Sequence, residues 1–279
     1  MDTVELVLSV PEADQDWLLG LLDTTATGFA QESNTLRAYV PASDWSAPTR
    51  EALTARLRAA GYPDALTTRP MPEENWNDAW EADIGPVRAG PFLVCTTTTD
   101  VPPEHADATV LRIDPKMSFG TGHHATTRLA LRLLADAVTP GDTVIDVGTG
   151  TGVLAIAACR RGAVSVEAVD TNPRAVENAR ENVVQNAVAS GVTVRAGSLD
   201  AVPAGRADVV VANITREPLL ALLPALVSRL ASAGTLILSG LLVSDSERMQ
   251  AALTDFPLAL QDTQTEEGWW AVRATRSSA

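Results

Sequence analysis

A glycine-rich segment between a strand-like run and a helix-like run constrains the fold more than any other part of the chain. In residues 143–157, TVIDVGTGTGVLAIA, a β-branched run ends at Asp146, and Gly148, Gly150 and Gly152 follow at alternate positions. A strand, a glycine turn and a helix N-terminus in succession bring backbone N–H groups close to a ligand. The pattern predicts a nucleoside-cofactor site and leaves the cofactor itself open.

The glycine turn fits two fingerprints. Asp146 followed by alternating glycines matches the loop that holds the amino-acid part of S-adenosylmethionine, whereas Gly150, Gly152 and Ala155 satisfy the looser dinucleotide fingerprint. Asp170, which ends the next strand-like run, is placed to bond ribose hydroxyls in either case. Asp146 favours the first cofactor, because its carboxylate would repel a pyrophosphate but can hold an ammonium group through glycine backbone or water.

From residue 126 onward, helix-like and strand-like segments alternate strictly, which predicts a parallel sheet with helices on both faces. Helices are predicted at 126–138, 153–161, 173–187, 217–230 and 244–254, and strands at 143–147, 164–169, 192–196, 208–212 and 235–239. Two further strand-like runs, 259–266 and 269–276, predict a hairpin that adds an antiparallel strand. That ending is typical of folds that bind S-adenosylmethionine and untypical of the symmetrical dinucleotide fold.

The residues before this region form two predicted parts. Residues 1–70 show the order βαββαβ, which predicts a small ferredoxin-like α+β domain with a binding or positioning role. Residues 71–92 contain prolines and an amphipathic stretch at 73–84, and we interpret them as a linker with a helix. The catalytic domain is then expected to span 93–279.

Composition excludes several classes of protein. With three histidines and two cysteines, none of them clustered at ligand spacing, the 279 residues predict no metal site. No run reaches the roughly 18 apolar residues of a membrane span, and no basic-then-apolar leader is visible, so we expect a cytoplasmic protein without a membrane partner. The net charge of −14 argues against sequence-specific nucleic-acid binding. It fits a GC-rich or salt-adapted host, or an acidic surface that steers a basic protein substrate.

A second glycine-containing block, residues 114–127, lies at the start of the first helix of the alternating region. Phe119 in this block could cover an adenine or a sulfonium, whose positive charge favours an aromatic face. Thr126 or Thr127 can cap the helix that follows. Asn213 ends a later strand at the edge where open α/β sheets bind ligands, although by propensity it could equally be a turn residue.

These blocks resemble the ribosomal protein L11 methyltransferase family. The resemblance rests on FGTGHHATT at 119–127, DVGTGTGVLAIA at 146–157, DTNPRAVENAR at 170–180, VANI at 211–214 and LSGLL at 238–242. It extends from about residue 76 to the end, with Ser118 where the family usually has alanine, and no diagnostic motif lies in the small N-terminal domain.

The resemblance implies a Rossmann-like class I methyltransferase sheet, S-adenosylmethionine as cofactor, and methyl transfer to lysine or N-terminal amines of ribosomal protein L11. The small domain would capture that protein. Together with the acid Asp146, the cofactor contacts expected are Phe119, Thr127, Gly148, Gly150, Asp170 and Asn213. Our hypothesis for catalysis is that the side-chain or neighbouring backbone carbonyl of Asn213 orients the amine, with no dedicated base, since partial burial lowers an ammonium pKa.

Three alternatives stay open from the sequence. A lysine methyltransferase of another protein would need the same site. A nicotinamide-dependent oxidoreductase would use the second glycine fingerprint. A non-catalytic binding module would keep the fold without turnover. A small-molecule methyltransferase is disfavoured, because it would not need the additional N-terminal domain.

Overall fold

The chain divides into two compact units, Met1–Trp76 and Asn77–Ala279. The computed structural model describes residues 3–11, 14–22, 25–26, 28–71, 85–116 and 118–277. The helix predicted at 73–84 lies outside the described residues. In the parts of the chain that are described, no helix has the length and apolar character needed to cross a bilayer.

The smaller unit is a four-stranded antiparallel sheet with two helices. Its elements are β1 Thr3–Leu8, α1 Asp16–Leu22, β2 Gly28–Glu32, β3 Thr35–Pro41, α2 Ala47–Ala59 and β4 Leu66–Met71. The strand order β2-β3-β1-β4 confirms the predicted ferredoxin-like arrangement. In β3 the alternate residues Leu36, Ala38 and Val40 are buried and pack in one cluster with Leu53 and Leu57 of α2, because successive strand side chains point to opposite faces.

The larger unit opens with a three-stranded sheet made of β5 Val87–Ala89, β6 Phe92–Cys95 and β7 Thr109–Arg112. The sequence predicts two strands here, at 92–97 and 109–113, and β6 and β7 lie within those ranges. Strand β5 was not predicted, because three residues are too few to show a period of two. It pairs with β6, so this end of the segment interpreted as a linker is part of a sheet of the larger unit.

A seven-stranded sheet forms the body of the larger unit. Its strands are β8 Thr143–Val147, β9 Ser165–Asp170, β10 Val192–Ala196, β11 Ala207–Asn213, β12 Leu230–Leu242, β13 Leu258–Glu266 and β14 Trp269–Arg276. The helices of this unit are α3 Ala125–Ala137, α4 Val153–Arg160, α5 Pro173–Gln185, α6 Arg216–Ser228 and α7 Ser246–Thr254.

The order of this sheet is β10-β9-β8-β11-β12-β14-β13. Strands β8 to β12 are mutually parallel, and β14 runs antiparallel to β12. This confirms the predicted parallel sheet with an antiparallel hairpin at its end. The strand order reverses beside β8, whose neighbours are β9 and β11, and ligands of open α/β sheets bind at such a switch point beyond the carboxyl ends of the strands.

Both faces of the sheet are buried under helices. Val144 packs in the cluster that contains α3, α4 and α5, whereas its neighbour Ile145 packs in the cluster that contains α6 and α7. Strand β11 alternates in the same way, with Val209 and Val211 in the first cluster and Val210 in the second. Burial on both faces explains why these strands are continuously apolar rather than alternating.

Replacing Leu238 by alanine is expected to destabilise the larger unit by about 2–5 kcal/mol, because this fully buried β12 side chain would leave a cavity. The free energy of unfolding from urea denaturation measures the loss. Leu260→Ala on β13 is the matched control, since Leu260 is 39% exposed and should cost less than about 1 kcal/mol. Equal losses in the two variants would contradict the assignment of Leu238 to the core.

Candidate functional site

A cleft of about 580 Å³ lies at the carboxyl edge of the parallel sheet. The ends of β8, β9 and β11 and the turn after β10 line it, together with residues 118–119. Five of the residues predicted for the site line this cleft, namely Phe119, Gly148, Gly150, Asp170 and Asn213. The structure therefore brings together groups that are far apart in the chain, as parallel strand ends at one edge require.

The glycine loop, residues 148–152, is shaped by left-handed backbone. Gly148 and Gly150 have φ angles of 75° and 55°, a region that side-chain-bearing residues rarely adopt. A Cβ at Gly148 would overlap the Ile214 side chain, and a Cβ at Gly150 would overlap the Phe119 carbonyl oxygen. Glycine is therefore required at both positions for the loop to keep its approach to neighbouring residues and to the cleft.

Asp170 connects the glycine loop to helix α5. Its Oδ2 accepts a hydrogen bond from the Gly150 N–H at 2.9 Å, and its Oδ1 accepts one from the Asn172 N–H at 2.9 Å. Asn172 in turn caps α5, accepting from the Arg174 N–H at 3.0 Å. Each carboxylate oxygen keeps further acceptor capacity, so Asp170 can hold the loop and still accept hydroxyl hydrogens from a ligand in the cleft.

The Phe119 loop, residues 118–122, lies against the glycine loop. The Thr151 N–H donates to the Phe119 carbonyl at 2.9 Å, and the Thr151 hydroxyl donates to the Gly120 carbonyl at 2.9 Å. The Phe119 ring is 52% exposed and makes an edge contact with His124 at a centroid distance of 5.1 Å. An aromatic face is thus available at the cleft, held by backbone hydrogen bonds.

His124, not Thr126 or Thr127, caps helix α3. The His124 Nδ1 accepts from the Thr126 N–H at 3.4 Å and lies 2.8 Å from the Thr126 hydroxyl. The predicted threonine cap was wrong because both threonines are already inside the first turn. Burial, helped by the nearby charge of Arg128, lowers the pKa of His124, and an unprotonated Nδ1 is the form that can accept the capping bond.

Arg128 ties the Phe119 loop to the C-terminal hairpin. Its guanidinium donates to the carbonyls of Gly122, at 3.4 Å, and His123, and it pairs with Glu266 at 2.5 Å and Glu267 at 3.0 Å. The Arg128 side chain is only 12% exposed, so water screens these contacts less than it screens surface pairs. The C-terminal hairpin of β13 and β14 therefore also supports the Phe119 loop, which lines the cleft.

Asp146 is fully buried beneath the glycine loop. Its Oδ2 accepts from the Thr149 hydroxyl at 2.6 Å and from the Ala155 N–H at 3.2 Å, and burial raises its pKa to about 7. Asp146 is not among the described residues that line the cleft. In this position Asp146 holds the glycine loop and the start of α4, and the hold on an ammonium that we expected stays a prediction.

Besides the Asp146 Oδ1, two further buried polar atoms near the cleft have no partner among the described residues. The Asn213 Oδ1 is one of them, and Asn213 lines the cleft at the end of β11. The other is the Thr127 Oγ1, in the first turn of α3, whose residue is fully buried. Since an unpaired buried oxygen is costly, the Asn213 Oδ1 is available to a group bound in the cleft. Thr127 is fully buried and is not in the described lining, so its cofactor contact stays a prediction.

Comparison with known proteins decides the family. The family model described as ribosomal protein L11 methyltransferase (PrmA) matches residues 13–277. The ribosomal protein L11 methyltransferase of Symbiobacterium thermophilum is 41% identical over 221 residues, which cover 79% of this chain and 72% of that protein. The protein of the same name from Pelotomaculum thermopropionicum is 42% identical over 247 residues, covering 88% and 80%.

This chain belongs to the ribosomal protein L11 methyltransferase family. It is accordingly a methyltransferase, and the oxidoreductase alternative is set aside.

Solved structures agree with this assignment. The crystal structure of a ribosomal protein L11 methylase from Lactobacillus delbrueckii subsp. bulgaricus is 31% identical, with a TM-score of 0.64, and covers 70% of this chain and all of that chain. A tRNA m1G37 methyltransferase from M. jannaschii, 11% identical with a TM-score of 0.50, shares the fold alone. The predicted class I methyltransferase sheet is confirmed.

Several cleft residues of this family member were missed from the sequence. Gly197 and Ser198 follow β10, Pro218 and Leu222 come from α6, and Asn172 caps α5. The Asn-Pro pair at 172–173 is a recognised helix start and could have drawn attention to Asn172. The other four carry no local signal, because only the packing of α6 and the β10 turn against the sheet brings them to the cleft.

Replacing Asp146 by asparagine is expected to flatten the pH dependence of stability. The folded-state pKa of about 7 lies above the ordinary value of 3.8, so the folded protein keeps a proton that the unfolded chain releases. The carboxyl group therefore favours folding at low pH, and that contribution is lost as the pH rises from about 4 through 7. Relative to the parent, the free energy of unfolding of Asp146→Asn should rise by about 2 kcal/mol between pH 5 and pH 8.

Urea denaturation at pH 5 and pH 8 measures the free energy of unfolding of both proteins. Any loss of stability that the new amide causes equally at both pH values cancels when the two are subtracted. Asp200→Asn is the control for removing one negative charge, because Asp200 is exposed. If the free energy of unfolding of the parent and of Asp146→Asn changed with pH in parallel, the conclusion that buried Asp146 retains a proton in the folded state would be contradicted.

Proposed function

We propose that this enzyme transfers methyl groups from S-adenosylmethionine to amino groups of ribosomal protein L11. The observation that carries the proposal is the cleft at the carboxyl edge of the sheet, which combines a glycine loop, the acid Asp170 and the unpaired Asn213 Oδ1 in a chain of this family. Relatives named for the same reaction support the choice of substrate.

The residues present fit S-adenosylmethionine. Gly148 and Gly150 line the cleft in a backbone path that a Cβ at either position would disrupt, and Asp170 can accept ribose hydroxyls at the end of β9. Phe119 offers an exposed aromatic face, which suits a flat base or a sulfonium. When bound, this cofactor supplies an electrophilic methyl group on a positively charged sulfur.

The protein contributes orientation and desolvation. The Asn213 Oδ1 can accept a hydrogen bond from the substrate amine and so direct its lone pair away from β11. Aligned groups at near-attack distance can account for about 7–11 kcal/mol of a barrier in ideal systems, so positioning alone is a large contribution. The apolar side chains of Phe119, Ile214 and Leu222 line the same cleft, and desolvation there lowers the pKa of an entering ammonium.

The amine can therefore lose its proton to water before or during transfer, without a dedicated base. His124 is not needed for this step, since its Nδ1 is engaged in capping α3. Because a neutral amine is the reactive form, the rate should increase with pH until the bound amine is deprotonated.

Charge and domain organisation suit a basic protein substrate. A net charge of −14 raises the encounter rate with a positively charged partner, an effect that weakens as salt increases. We further propose that the ferredoxin-like unit captures the substrate protein, that the residues between β4 and β5 connect it to the catalytic domain, and that the reaction takes place in the cytoplasm. The binding unit would then present lysine or N-terminal amines to the cleft.

Replacing Gly150 by alanine is expected to weaken the binding of S-adenosylhomocysteine by at least about tenfold, equivalent to about 1.4 kcal/mol, because the new Cβ would displace the Phe119 carbonyl. Isothermal titration calorimetry measures the affinity. Gly141→Ala is the matched control, since Gly141 also has a positive φ but a Cβ added there would meet no atom within 4 Å. Equal affinities in the two variants would contradict the proposed fit of the cofactor to this backbone path.

The function itself is tested with labelled S-adenosylmethionine and total ribosomal protein from a strain that lacks the enzyme. We expect label in ribosomal protein L11, and Asn213→Ala should lower kcat by roughly tenfold while retaining the product. Label in a different protein would replace the substrate assignment with that of another lysine methyltransferase. Cofactor binding without transfer to any protein would indicate a non-catalytic module, and an unchanged kcat in Asn213→Ala would overturn the role of Asn213.

A further inference from the structure

Helix α5 and the residue that caps its C-terminus carry three buried asparagines on one stripe. Asn178, Asn182 and Asn186 are spaced four residues apart, and each is at most 2% exposed. Residues four apart lie on the same face of a helix. Most buried amides have hydrogen-bond partners, so the bonds of these three indicate what this stripe does, although the Asn178 Oδ1 has no partner among the described residues.

The stripe pairs with the backbone that leaves strand β7. Asn186 accepts from the Arg112 N–H at 2.9 Å and donates to the Arg112 carbonyl at 2.6 Å. Asn182 accepts from the Asp114 N–H at 3.1 Å and donates to the Asp114 carbonyl at 3.2 Å. Asn178 donates to the same Asp114 carbonyl at 2.8 Å.

The asparagine stripe fits this backbone because the two have similar repeat distances. Four helical residues rise about 6 Å, and two extended residues rise about 6.6 Å. Asn186 therefore meets Arg112 at the end of β7 while Asn182 meets Asp114, two residues further on. Strand β7 is an edge strand, paired only with β6 in its sheet. Amide side chains from the asparagine stripe therefore supply the donors and acceptors that a neighbouring strand would supply.

Asn182 makes one contact that Asn186 does not make. The second hydrogen of its amide donates to the Thr151 carbonyl at 2.9 Å, inside the glycine loop. Thr151 is the residue whose N–H and hydroxyl hold the carbonyls of Phe119 and Gly120. A continuous set of hydrogen bonds thus runs from Asp114 through Asn182 and Thr151 to Phe119.

We propose that Asn182 is a positioning residue that fixes the glycine loop and the Phe119 loop as one cofactor cradle. Its two donors and its acceptor are all used, and they join the start of the segment that leads to Phe119 with the loop that carries Gly150. The two loops line the same cleft, so their relative placement sets the space for the nucleoside. This inference rests on the proposed binding of S-adenosylmethionine.

The test compares Asn182→Leu with Asn186→Leu. Both variants remove a fully buried amide that bonds the β7 backbone or its continuation, so both should lose stability. Only Asn182→Leu frees the Thr151 carbonyl. For Asn182→Leu we expect the Kd of S-adenosylhomocysteine to rise at least about tenfold and the KM for S-adenosylmethionine to rise with it, while kcat at saturation stays within about threefold.

Asn186→Leu should keep the affinity within about twofold of the parent despite its lower stability. The thermal shift produced by saturating S-adenosylhomocysteine provides a second readout, since it depends on the affinity of the folded protein for the ligand. That shift should shrink in Asn182→Leu and not in Asn186→Leu. Equal changes in the two variants, or an unchanged Kd in Asn182→Leu, would overturn the proposal.

Substitutions at Thr151 give a second test, which does not require the Asn182→Leu variant to fold. Thr151→Val removes the hydroxyl bond to Gly120 at nearly constant volume, and Thr151→Ser retains it. Weaker S-adenosylhomocysteine binding in the valine variant alone would support a coupled cradle, and parental affinity in both would overturn it. If the parent protein itself failed to bind S-adenosylhomocysteine, the proposed function would fail first, which separates the two results.

Discussion

The contact between Gly150 and the Phe119 carbonyl is the constraint on which the site depends. No side chain can stand between these two backbones, because even a Cβ at Gly150 would overlap the carbonyl oxygen. Hydrogen bonds from Thr151 hold the glycine loop against the Phe119 loop, and Asp170, at the end of β9, accepts a hydrogen bond from the Gly150 N–H. The parallel sheet supplies the common edge, but the loops give the cleft its shape.

The buried polar atoms around the cleft fall into two groups. Some hold the architecture through hydrogen bonds, as with the Asp146 Oδ2 on Thr149 and Ala155, and Asn182 on Asp114 and Thr151. The Asn213 Oδ1, on a residue that lines the cleft, has no partner in the described chain. Native proteins rarely leave buried oxygens unpaired. Among the described residues with such an oxygen, Asn213 is the one that lines the cleft, which places it to meet a substrate.

Local signals were sufficient to predict much of the fold and the centre of the site. The alternation of segments from residue 126, the glycines at 148 and 150, and acids or amides at strand ends reflect short-range geometry, and they led to the correct sheet. The family was identified from the resemblance of whole blocks such as 119–127 and 146–157. The three-residue strand β5 was missed because it has too little sequence for a pattern. His124 was missed as a cap because histidine is not among the usual capping residues.

The asparagine stripe could not be predicted for a different reason. Its bonds to the β7 backbone and to the glycine loop join residues that are distant in the chain, and on α5 alone the three asparagines look like a polar helix face. Only the fold shows that this face meets the unpaired edge of β7. Long-range pairing of side chains with backbone is therefore the part of this site that needed a structure.

A crystal structure of the complex with S-adenosylhomocysteine tests the account most directly. We predict a nucleoside between the glycine loop and Phe119, an Asp170 oxygen within hydrogen-bond distance of the ribose hydroxyls, and an Asn182 amide still bonded to the Thr151 carbonyl. A ligand bound elsewhere, or one bound with the two loops separated and the Asn182–Thr151 bond broken, would contradict it.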